Sequence, residues 1–174
     1  MKRPTRLFLD MDGVLVDWDL EYERITGMHP EHVHSLNDKQ VKNTNWETFI
    51  KSGGFINAPP MKDWKTLLHY VHELLKLGKI VDVQICTSAG GKKFYDEVKR
   101  QKLIWLRRHG LGFKPNVVEA GSKKSSVLNP SYRDILIDDT PRVLDYFLAA
   151  GGEGVLHTSA NLTINRLDSM LYSK

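Results

Sequence analysis

The stretch LFLDMDGVLVD, Leu7–Asp17, decides how the rest of the chain is read. Its first part, with Arg6, is a short unbroken apolar run ending at Asp10. A strand covered on both faces of a parallel sheet has this appearance. Asp12 and Gly13 follow at once, where such a strand reaches the rim of its sheet. Four further runs share the pattern: Ile80–Cys86, Asn116–Glu119, Asp134–Asp138 and Gly154–His157. Between several of them apolar residues recur at helix spacing. Trp64, Leu67, Leu68, Val71, Leu74 and Leu75 lead to a stop at Gly78. Phe94, Val98, Ile104 and Trp105 lead to Gly110, and Thr140-Pro141 opens a run that closes at Gly151. This alternation predicts an α/β fold: three layers around a central five-stranded parallel sheet, with right-handed crossovers.

One piece breaks the rhythm. Residues 20–60 separate the first strand from its crossover helix, far more than an ordinary βα loop. They are polar, carry His29, His32, His34, Trp46 and Phe55, and finish at Gly53-Gly54 and Pro59-Pro60. The reading is a small, mostly helical cap above the carboxyl ends of the strands. The core is then 1–19 and 61–174, and the cap 20–60.

Composition narrows the partners. With 174 residues, 41% hydrophobic and 26% charged, the chain is neither disordered, collagen-like nor a coiled coil. Its net charge of +4 favours anionic partners without choosing among nucleic acid, nucleotides and phosphorylated metabolites. No apolar run nears the ~20 residues that cross a bilayer, so no membrane partner is expected. The N-terminal segment has no apolar core of signal-peptide type, and the single Cys86 makes no internal disulfide. A cytoplasmic location is expected.

Ligands of open parallel sheets bind outside the carboxyl ends of the strands. Three strands there deliver Asp10-Met11-Asp12-Gly13, Thr87-Ser88 and Asp138-Asp139 to one rim. A lone Asp at a strand end is usually a turn residue. Four carboxylates gathered at one edge repel one another unless a hard cation joins them, and oxygen ligands suit Mg²⁺.

In this order, LFLDMDGVLVD, VDVQICTSAG and DILIDDTP resemble three motifs of the haloacid dehalogenase superfamily of phosphotransferases. DMDGVLVDW, ICTS, KLIWLRRHGLG and GGFINAPPM further resemble the 5'(3')-deoxyribonucleotidases. Two departures from that family are Thr140 after the Asp pair and the flexible Ala89-Gly90-Gly91. The resemblance implies the superfamily's Rossmannoid fold and a phosphatase of nucleoside monophosphates. Asp10 is then the nucleophile, forming an aspartyl-phosphate, and Asp12 the general acid and base. Mg²⁺ is held by Asp10, Asp138 and the backbone carbonyl of Asp12, with Asp139 farther out. Thr87 and Ser88 hold phosphoryl oxygens. A lysine adds positive charge, and Lys102 is preferred over Lys123 and Lys124 because it begins the Trp-bearing helix. Trp18 either stacks on a base or packs under the cap.

Other signals are weaker. The His29, His32 and His34 cluster lacks a fourth zinc ligand, Cys86 reads as core, and no phosphate-binding P-loop is present. Two readings stand beside the nucleotidase: the same chemistry on sugar phosphates or nucleic-acid 3'-phosphate ends, and a non-catalytic nucleic-acid-binding module. The expected partner is a small nucleotide rather than a nucleic acid, and the sequence leaves a homodimer open.

Overall fold

A computed structural model describes residues 4–119, 124–131 and 133–172. Five strands, β1 (Arg6–Leu9), β2 (Asp82–Ser88), β3 (Lys114–Val118), β4 (Ile135–Asp138) and β5 (Glu153–Leu156), form one sheet. Its order is β3-β2-β1-β4-β5, and every pairing is parallel. Central β1 buries both faces, which is why its sequence is continuously apolar. Leu7 and Leu9 pack with Leu67, Val71 and Leu74 of α5 (Trp64–Lys76) and Leu167 of α9 (Ala160–Tyr172). Phe8 points the other way, to Cys86, Leu136 and Phe147 of α8 (Pro141–Ala149). Each such buried side chain contributes roughly 1.5–3 kcal/mol, so the three-layer sandwich is the stable solution.

The sequence-read boundaries differ in places. Ile80 lies before β2, buried in the turn after α5, and the strand instead runs on to Thr87-Ser88. β3 starts at Lys114 and includes Pro115, tolerated because this strand is at the sheet edge.

Between β1 and α5 lie α1 (Trp18–Thr26), α2 (Pro30–Ser35), α3 (Lys39–Lys51) and α4 (Gly54–Asn57). The insertion is therefore helical, but it begins at Trp18; a boundary at residue 20 would cut α1. Its way in and way out run side by side, with Asp17 N donating to Pro59 O at 2.8 Å and Met61 N to Leu15 O at 2.9 Å. Tyr22, Val33, Phe49, Ile50 and Phe55 complete their cluster with Ala89 and Val98. Val98 belongs to α6 (Tyr95–Arg108). Buried Gln101 on α6 accepts from Phe55 N at 3.1 Å and donates to Ile50 O at 2.7 Å. Trp105 Nε1 donates to Ala58 O at 2.8 Å. The cap shares its apolar core with the main domain.

Candidate active site

Strand β1 carries Asp10 to the rim, where Asp10 N donates to Ile137 O of β4 at 2.9 Å. The loop beyond is tight: Val14, Leu15 and Val16 all donate to Met11 O. Gly13 sits in the left-handed region at φ 74°, and a Cβ there would lie 2.1 Å from Asp139 Oδ2. Only glycine lets this loop approach the β4 tip. At that tip Asp138 Oδ1 accepts from Thr140 N at 2.9 Å. Thr140 occupies the N-cap position of α8 without a side-chain capping bond; its hydroxyl donates to Asp139 Oδ1 instead.

Asp10, Asp138 and Asp139 each offer an oxygen, all within 4.8 Å of one another. Lys124, from α7 (Lys124–Leu128), fits among them. Its Nζ lies 2.8 Å from Asp10 Oδ1 and 2.6 Å from Asp138 Oδ2, and the side chain is only 7% exposed. Burial alone would push Lys124 down, but Asp10 and Asp138 outweigh it and hold the ammonium above its usual value. Three carboxylates and one ammonium leave two negative charges, which a divalent cation would neutralise. The donors are hard oxygens, so the set fits Mg²⁺. Among the described residues this is the one such cluster.

The uncompensated charge is expressed in proton affinity. Burial, then Asp10, raises Asp138 from the ordinary 3.8 to about 6. Burial, then Asp10 and Asp138, raises Asp139 likewise to about 6. The folded state thus binds these protons more tightly than the unfolded state. Their contribution to stability is full below the ordinary carboxylate range and is lost as pH rises towards about 6. Metal-free protein melted across pH 4–7 should show this fall, shallower in Asp139→Asn, and Mg²⁺ should stabilise more as pH rises through the same window. An identical pH slope in wild type and Asp139→Asn would contradict the assignment.

The second lysine behaves differently. Lys102 of α6 is fully buried and donates to Asp12 Oδ2 at 2.5 Å, Thr87 Oγ1 at 2.8 Å and Ser88 O at 2.7 Å. Three acceptors use all three N–H bonds of an ammonium. Lys124, which the sequence ranked behind Lys102, lines the cleft, whereas Lys102 is held by Asp12, Thr87 and Ser88. Lys123 lies outside the described residues. Asp12 itself is 26% exposed at the side chain. Burial raises it, opposed by Lys102, and its Oδ1 has no hydrogen-bond partner. In the acidic cluster the third carboxylate is Asp139, read from sequence as an outer group, while the Asp12 carboxylate is taken by Lys102.

These groups border a cleft of about 480 Å³ lined by Asp10, Asp12, Ser88, Lys124, Asp138 and Asp139 from the core and Trp18, Asp19, Pro30, Glu31 and His34 from the cap. Thr87 is buried beside Lys102 rather than on the cleft wall. Trp18 packs edge-on to Tyr22 and Phe49 and also lines the cleft. A second, more apolar pocket of about 380 Å³ adjoins the first, sharing Trp18, Pro30 and His34 and adding Tyr22 and Trp46. Trp46 was only an ambiguous aromatic in the sequence; what marks it is contact with the Thr87 loop, its ring 3.2 Å from a Cβ built at Gly90.

Of the remaining sequence candidates, Lys92, Lys93, His29 and Cys86 do not line the cleft. Lys92 and Lys93 are exposed, with Lys93 paired to Glu47 at 2.9 Å. His29 starts α2, its Nδ1 accepting from Glu31 N, and no histidine cluster forms among the described residues. Cys86 is buried, which pushes its thiol up to about 12 and leaves no thiolate at neutral pH.

The chain matches solved structures over nearly its whole length. The fold is that of the haloacid dehalogenase-like hydrolases. A haloacid dehalogenase-like family hydrolase from Streptococcus pneumoniae superposes with a TM-score of 0.58 at 15% identity, over 98% of this chain and 99% of its own. A protein from Bacteroides fragilis named as a haloacid dehalogenase-like hydrolase gives 0.60 at 14%, over 90% and 88%. YfnB from Bacillus subtilis, named as a HAD-hydrolase and described as bound to magnesium, gives 0.60 at 11%, over 98% and 99%. No family profile and no curated protein sequence matches the chain. The likeness in the haloacid dehalogenase-like fold is one of architecture. Among the described residues no helix is long and apolar enough to cross a membrane.

Proposed function

We propose that the protein is a Mg²⁺-dependent phosphomonoesterase that cleaves deoxynucleoside monophosphates to nucleoside and phosphate, in the manner of the 5'(3')-deoxyribonucleotidases. One observation carries this reading: the carboxylate cleft opens directly beside an aromatic pocket, with Trp18 common to both. A phosphoryl group at Asp10 leaves the rest of its ester facing Trp18, Tyr22 and Trp46. Flat aromatic walls of this kind favour a planar ring, and stacking on them is worth roughly 1–3 kcal/mol per base.

The chain's own groups divide the work. Asp10 attacks phosphorus in line, forming the aspartyl-phosphate as the bond to the leaving oxygen breaks. Asp12 gives its proton to that oxygen and later takes one from the water that attacks the aspartyl-phosphate. Lys124 holds Asp10 Oδ1 and reduces the repulsion met by an incoming phosphate. Two unit charges ~4 Å apart repel by about 4 kcal/mol at an effective dielectric near 20, so a single lysine is insufficient. Mg²⁺ held by Asp10, Asp138 and Asp139 would supply the remaining positive charge and polarise the phosphoryl oxygens. Ser88 borders the cleft, and its hydroxyl would donate to one of those oxygens.

Phosphate release with Mg²⁺ from deoxynucleotides, sugar phosphates and 3'-phosphorylated oligonucleotides tests the reading, with Trp46→Ala run in parallel. Deoxynucleotides should be cleaved most efficiently, and Trp46→Ala should raise their KM roughly tenfold or more while leaving sugar phosphates unaffected. Faster cleavage of a sugar phosphate, with Trp46→Ala indifferent, would overturn the nucleotide assignment.

A further inference from the structure

Lys102 is the most completely enclosed charge of the site, fully buried on α6 with its Nζ 4.6 Å from the Phe55 ring of the cap. Its three acceptors are the Asp12 carboxylate, the Thr87 hydroxyl and the Ser88 carbonyl. With its donors used, it has none left for a phosphoryl oxygen. What it does to its neighbours is specific. It occupies Asp12 Oδ2 and leaves Oδ1 buried without a hydrogen-bond partner. It also fills an acceptor site on Thr87 Oγ1, so that this hydroxyl keeps its hydrogen for another acceptor.

We infer that Lys102 is a positioning residue for proton transfer: by holding Asp12 Oδ2 it fixes the carboxyl group that exchanges a proton with the leaving oxygen. In the step it supports, the Asp10 carboxylate forms a bond to phosphorus while the bond to the leaving oxygen breaks. The electron pair of that bond goes to the leaving oxygen, which takes the proton from the Asp12 carboxyl group. The inference rests on the phosphatase reading above.

The discriminating readout is the leaving group. An alkoxide such as a nucleoside oxygen needs a proton to depart, whereas p-nitrophenolate leaves without one. In Lys102→Met, kcat/KM for a deoxynucleoside monophosphate should fall on the order of 100-fold more than kcat/KM for p-nitrophenyl phosphate. Asp12→Asn should give the same pattern, and adding Lys102→Met to Asp12→Asn should change neither substrate further. Lys102→Arg should recover part of the ratio. The double variant has no uncompensated Asp12 charge, so it serves as the comparison if Lys102→Met alone does not fold.

Equal losses on both esters in Lys102→Met would overturn the inference, as would a further loss on both in the Asp12→Asn background. That result would make Lys102 a phosphate ligand or a purely structural residue. Wild-type protein that releases phosphate from neither ester would defeat the phosphatase reading, and this inference with it. Activity of the wild type with an unshifted ratio in the variant would defeat this inference alone.

Discussion

Asp10→Asn is expected to lower phosphate release roughly 10⁴-fold or more while leaving the fold intact. The amide has the size of the carboxylate but is a poor nucleophile towards phosphorus, so the aspartyl-phosphate does not form. Stability argues the same way. Asp10 sits in a cluster with surplus negative charge, and removing one carboxylate relieves repulsion at Asp138 and Asp139, both raised to about 6. A variant as stable as wild type, or more so without metal, and devoid of turnover is the expected pair of results. Circular dichroism melts and a phosphate-release assay on the same preparation check both. Near-normal release from Asp10→Asn would remove the nucleophile from the account.

Lys124→Met should combine loss of activity with loss of stability. The ammonium is almost fully enclosed and contacts Asp10 at 2.8 Å and Asp138 at 2.6 Å. Taking one partner from a buried charge cluster costs about 3–5 kcal/mol, because the carboxylates left behind are buried and mutually repelling. Part of that cost is avoided when Asp138 takes up a proton, so the deficit should shrink as pH falls below about 6. Mg²⁺ should restore more stability to the variant than it adds to wild type. Denaturant titrations at two pH values, with EDTA or Mg²⁺, read all of this. An equally stable Lys124→Met with undiminished turnover would show that the lysine neither braces the cluster nor assists phosphoryl transfer.

The strand-tip residues were legible in the sequence for a physical reason. Asp10, Thr87 and Asp138 each end an apolar run, and a parallel sheet brings such ends to one edge whatever the loops do. The lysines carry no comparable local signal. Lys102 and Lys124 lie on helices, and their roles depend on which acceptors surround them after folding, three for Lys102 and a pair of carboxylates for Lys124. Asp139 comes within 4.8 Å of Asp10 and Asp138, and the tight loop at Gly13 folds against it, a contact that no local pattern announces. The C-terminal helix α9 went unread because its buried residues include only Ala160, Thr163 and Leu167, a thin apolar stripe. Trp18 shows how an element boundary shifts: Asp17 caps α1 through Leu20 N at 3.2 Å, drawing the tryptophan into the cap.

A single chemical trap bears on the central claim, phosphoryl transfer to the first strand's terminal carboxylate. Protein mixed with Mg²⁺ and its best monoester, quenched during turnover and reduced with borohydride, would convert an acyl phosphate to homoserine, which peptide mass spectrometry locates. The account predicts homoserine at position 10, dependent on added substrate. Steady phosphate release with no reduced residue there, or with the modification at another side chain, would contradict it.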